Sequence, residues 1–106
     1  MKSLLYFEAH ITCDAAAPYD SVSIEDSWQD FCYISKLFDW KASKFDQDDV
    51  DGYHDKWFMS ARGYELEGVK KRVKETIESL SLNGFNVIRW KIEDTILDSK
   101  HGDTLE

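Results

Sequence analysis

The chain has 106 residues with a formal net charge of -8, and 42% of them are apolar or aromatic. That is enough for one domain around one core. The acidic balance argues against bulk binding to nucleic-acid backbones, where counterion release needs a positive surface. No apolar run approaches membrane-spanning length, and two cysteines, Cys13 and Cys32, are too few for a disulfide framework.

The first predicted element is a strand over Leu4 to Asp14, LLYFEAHITCD. Leu5, Phe7, Ala9 and Ile11 alternate onto an apolar face, and Tyr6, Glu8, His10 and Thr12 onto a polar one. Met1-Lys2-Ser3 leads straight into this strand, so no signal peptide and a cytoplasmic protein are the expectation. Cys13 and Cys32 read as buried or half-buried free thiols that fill small apolar space. Residues 15–20 hold the chain's single proline, Pro18, and read as a linker.

Ser23 opens a helix whose free backbone donors it can cap, with Asp26 at the capping-box position. Ile24, Trp28, Phe31, Cys32, Ser35 and Phe38 recur at helical spacing as its buried stripe. A short strand follows over Trp40 to Phe45. Residues 46–55 gather Asp46, Asp48, Asp49, Asp51 and Asp55 around Gly52 and read as a solvated loop. A calcium loop ending its turn at Gly52 would need its first ligand at Gln47 and its twelfth-position glutamate at Phe58, and both fail.

Trp57 to Gly63 is the third strand, with Trp57, Met59 and Ala61 on one side and Phe58, Ser60 and Arg62 on the other. The second helix carries a stripe of Leu66, Val69, Val73, Ile77 and Leu80, with its lysines and arginine on a solvated face. Asn83-Gly84 closes it in a left-handed turn, and Phe85 folds back on the last turn. The last strand covers Asn86 to Glu93, with Ile88, Trp90 and Ile92 facing one way and Val87, Arg89, Lys91 and Glu93 the other. One domain over residues 1–97 and a loose polar tail over 98–106 complete the division.

The order β-α-β-β-α-β, with one apolar stripe per helix, predicts an α+β ferredoxin-like sandwich. Its four-stranded antiparallel sheet has spatial order 4-1-3-2, with both helices on one face. The other sheet face then collects Glu8, His10 and Thr12 from the first strand. Ser60 and Arg62 join from the third strand, and Arg89, Lys91 and Glu93 from the fourth. Three basic side chains beside a histidine make this the predicted site for a small anionic, phosphate-bearing ligand. The catalytic candidates are His10 and Thr12, and the ligand-binding candidates are Arg62, Arg89, Lys91, Ser60 and Glu8. No metal or cofactor is implied, and His54 and His101 receive no role.

The His10-x-Thr12 pair resembles half of the His-x-Thr/Ser signature of the 2H phosphoesterases, which cleave phosphodiester links. That resemblance implies proton transfer by His10 and oxygen binding by Thr12. The family uses two such motifs. The comparable pair here, Ser60-x-Arg62, has no histidine, which leaves Glu8, Glu93 or a second copy's His10 as the other proton carrier. The stretches YFEAHIT and WKIEDTILDS are similar to small uncharacterised bacterial and phage proteins, a likeness that implies a compact domain and no particular activity.

A wet sheet face carries polar residues in any case, so His10, Lys91 and Glu8 also read as cross-strand pairs. A second class of function is a protein-interaction module. It would be a homodimer through Tyr6 and Phe58 on the open sheet, or an acidic loop around Asp48 engaging a basic partner. A phosphate-mimicking role draws on the -8 charge, but the acids do not line up on one face. RNA stacking on Tyr6 and Phe58 is disfavoured, because DKWFMSARG lacks the order of an RNA-recognition strand.

Overall fold

The computed structural model describes residues 4–15, 23–44 and 56–96. The acidic loop over 46–55, most of the proline-bearing linker, the tail over 98–106, His54 and His101 lie outside the described residues. In chain order the elements are β1 (Leu4–Asp14), α1 (Ile24–Leu37), β2 (Lys41–Lys44), β3 (Lys56–Gly63), α2 (Leu66–Leu82) and β4 (Val87–Ile96). The strands form one antiparallel sheet in the order β2-β3-β1-β4. This is the ferredoxin-like arrangement, with β1 and β3 as central neighbours.

Alternation sorts the two faces as the sequence implies. Ala9, Ile11 and Cys13 of β1 join Trp57, Met59 and Ala61 of β3 in the core. Phe31 and Ile34 of α1 and Val69, Val73 and Leu80 of α2 cover them from one side. Trp28, Phe31, Trp57 and Phe85 form an aromatic cluster with ring centroids 5.2–6.4 Å apart.

Both helices end in the same way. Phe85 N donates to Leu80 O at 2.9 Å and Gly84 N to Ser81 O at 3.1 Å, with Gly84 at φ 84°. This is the Schellman geometry, and it folds Phe85 into the core. In α1 the equivalent bonds run from Trp40 N to Ser35 O and from Asp39 N to Lys36 O, with Asp39 at φ 62°. The α1 start is also as expected, since Asp26 N donates to Ser23 Oγ at 3.1 Å.

The helix faces are turned from the predicted stripes. In α1 the buried line is Ser27, Phe31, Ile34 and Ser35, while Ile24 is exposed. Ser35 can be buried because its hydroxyl donates to Phe31 O at 2.8 Å, leaving no unmet donor. In α2 Thr76 is fully buried, Ile77 is only partly buried and Leu66 is exposed. Thr76 Oγ1 donates to Arg72 O and accepts from Trp40 Nε1 at 2.9 Å. That bond ties the end of α1 to the middle of α2.

β4 departs from simple alternation as well. Thr12 lies opposite Arg89 while the next residue, Cys13, lies opposite Val87, so Ile88 is an extra residue. Val87 therefore packs against the core, and Ile88 turns to the helix-free face. Sequence alternation had assigned them the other way round.

Two stability measurements check this packing. A Cβ built at Gly63 lies 2.6 Å from Val69 Cγ2, a stiff β-branched methyl, so there is no room for it. We expect Gly63→Ala to lower unfolding free energy by about 1–3 kcal/mol in urea titration, with partial recovery in the Gly63→Ala/Val69→Ala double variant. Thr76→Val keeps the shape but leaves the Trp40 indole N–H unmet, and the expected loss is again about 1–3 kcal/mol.

Candidate functional site

β1 sets the layout of the helix-free face because it pairs on both sides. His10 lies opposite Ser60 of β3 and Lys91 of β4, and Glu8 lies opposite Arg62 and Glu93. Two glutamates facing each other across strands repel. Here His10 stands between them, with Nε2 3.4 Å from Oε1 of both Glu8 and Glu93. Lys91 Nζ adds a contact of 3.1 Å to Glu93 Oε1. This charged row runs across the middle of the face and divides it.

On one side of the row is a groove of about 680 Å³ lined by His10, Thr12, Lys56, Phe58, Ile88, Arg89 and Lys91. Three cations, an imidazole and a hydroxyl meet an aromatic ring and an aliphatic side chain, and no carboxylate of the described residues lines it. Its volume falls in the range of small-molecule sites. Lys56 is held by Asp14 at 3.1 Å and Lys91 by Glu93, whereas among the described residues no acid pairs with Arg89.

On the other side is a hollow of about 470 Å³ lined by residues that include Glu8, Asp39, Lys41, Ser60, Arg62 and Arg72. Glu8 and Asp39 offset its cations. Arg62 lies over the Tyr6 ring, 4.6 Å from the centroid. Arg72 donates to Arg62 O at 3.1 Å and to Asp39 O at 2.6 Å, so it fastens α2 to the sheet end instead of lying on a solvated helix face.

The predicted single patch is thus two neighbouring hollows. His10, Thr12, Arg89 and Lys91 come together in the groove, while Glu8, Ser60 and Arg62 belong to the second hollow. Two groove residues escaped the sequence reading. Lys56 was within its reach, because it lies two residues before Phe58 and shares its face. Ile88 was not, because only the irregular β1–β4 register brings it there.

The cysteines supply no thiolate to this site. Burial, with a smaller contribution from the Asp14 charge, pushes the Cys13 thiol up to about 12. Burial also raises Cys32, against the opposing pull of Lys36 and Lys44. Among the described residues no group of three or more His, Cys, Asp or Glu could hold a metal ion. No helix of the described residues is long and apolar enough to cross a membrane. No family model, curated protein or solved structure matches this chain.

Asp14 positions the groove's Lys56 and is itself a pH probe. Its carboxyl is held below the usual 3.8 by the hydrogen bond from Asn86 Nδ2 and then by Lys56. A depressed carboxyl contributes stability that is present above its unfolded value and lost as pH falls through its folded value. We therefore expect the urea midpoint to drop as pH falls below about 3.8, and Asp14→Asn to flatten that drop.

Proposed function

We propose that the groove between Lys56 and Lys91 binds a small phosphate ester carrying an aromatic or other apolar part. The observation that carries this reading is the lining itself: among the described residues it offers cations without carboxylates, on a chain of net charge -8. Such a local inversion of charge attracts anions and leaves extended polyanions repelled by the remaining surface. Arg89 presents a guanidinium fork suited to phosphate oxygens, and Lys56, Lys91 and Thr12 add donors around it. Phe58 and Ile88 offer an apolar wall for the remainder of the ligand.

Turnover at His10 is a second reading, and the observation behind it is that His10 and Thr12 line the same groove. An imidazole between two carboxylates can move one proton, and Thr12 can donate to a non-bridging oxygen. A phosphodiester hydrolysis on this surface would take its second proton from Glu8, Glu93 or water, since among the described residues the groove holds one histidine.

A thermal-shift screen of nucleotides and phosphate esters, followed by calorimetry, tests both readings. Binding is expected to weaken with salt and to fall by about 10-fold in Arg89→Ala, the effect of one charge-assisted contact. Arg62→Ala, outside the groove, should leave affinity unchanged. If no phosphate ester binds at millimolar concentration, the binding reading fails. Phosphodiester turnover that survives in His10→Ala would remove the second reading and leave the first.

A further inference from the structure

β4 is an edge strand of ten residues, Val87–Ile96, and among the described residues nothing pairs with its outer side. The opposite edge, β2, has only four residues. Long edges invite strand addition, and proteins usually interrupt or cover them. The irregularities of β4 lie near its ends, and Arg89 to Glu93 pairs with β1 in unbroken register. The stretch contains no proline. Beside it, on the helix side, runs a groove of about 250 Å³ lined by the apolar Val73, Ile77, Trp90 and Ile92 together with Lys70, Lys74 and Glu78 of α2. Trp90 is 55% exposed, a large apolar surface left open next to a free edge.

We infer that this edge is a homodimer interface, in which β4 pairs antiparallel with β4 of a second copy about a two-fold axis at Ile92. Directly opposed residues in an antiparallel pair point to the same face, so the axis must pass through a residue. An axis at Ile92 sets Lys91 opposite the partner's Glu93 twice and opposes no like charges. An axis at Trp90 sets Arg89 against Lys91, and one at Lys91 or Glu93 sets that residue against itself. Among axes in the middle of the strand, from Trp90 to Glu93, charge therefore selects one register. In it Ile92 meets its own copy on the helix side, and Trp90 lies diagonally across from it. The apolar walls of the two grooves, Trp90 and Ile92, then face one another across the axis, and the product is an eight-stranded sheet with all helices on one side. The helix-free face, with its phosphate-ester groove, stays open in both copies, so this inference does not rest on that ligand.

Sedimentation at sub-millimolar concentration should give the mass of two chains. Trp90→Glu should shift it to one chain, while Tyr6→Glu on the open face should leave the dimer intact. Lys91→Glu and Glu93→Lys should each weaken association, and the double swap should restore it. In a Cys32→Ser background, Ile92→Cys should cross-link two copies under mild oxidation, because opposed residues in this register lie within disulfide reach. A monomeric wild-type chain overturns the inference, as does a dimer lost in Tyr6→Glu but kept in Trp90→Glu. Cross-linking by Lys91→Cys but not Ile92→Cys would overturn the register.

Discussion

β1 is paired on both sides, and everything on the helix-free face takes its position from that. A central strand cannot slip by one residue without moving its apolar set into water and its polar set into the core. Ala9, Ile11 and Cys13 are fully buried under the helices. Glu8, His10 and Thr12 are consequently held on the other side, each at a defined distance from β3 and β4. The core thus fixes the helix-free face, although the two share no atoms.

The row Glu8–His10–Glu93–Lys91 shows how that constraint sets the charge pattern of the face. Strand register brings two glutamates opposite each other, an arrangement that repels unless something intervenes. His10 and Lys91 intervene, and in doing so they take up the acidic groups of the central face. Among the described residues, the groove beyond His10 is left lined by cations without a carboxylate. A chain that is acidic overall thereby carries a local positive concavity. The same row reads equally well as cross-strand pairing, and the two descriptions are compatible, because the pairing is what separates the groove from the mixed-charge hollow around Arg62.

The sheet's asymmetry carries a second consequence. α2 lies over β1, β3 and β4 together, and Trp90 and Ile92 are not closed over by it. Among the described residues the edge at β2 has four residues and the edge at β4 ten, which is why the proposed self-association uses β4. The two proposed surfaces are orthogonal: one uses the sheet's face, the other its edge.

Much was legible in the sequence where period and charge speak directly. The six elements and their order, the antiparallel sheet, the Ser23 cap, the Asn83-Gly84 stop and the common face of His10, Thr12, Arg62 and Arg89 all follow from local patterns. They do so because alternation in strands and backbone closure at helix ends are properties of neighbouring residues. What only tertiary structure decided involves contacts between distant residues. The burial of Thr76 depends on Trp40 reaching it with an indole N–H, and hydropathy alone ranks Ile77 above it. The burial of Ser27 and Ile34 in place of Ile24 is likewise seen only in the folded α1, whereas Phe31 and Ser35 already stood in the sequence stripe. Ile88 enters the groove only because β1 and β4 are one residue out of step near Thr12. The division of the basic patch depends on where two glutamates from different strands meet. Each of these is set by pairing across the fold, which no single stretch of chain encodes.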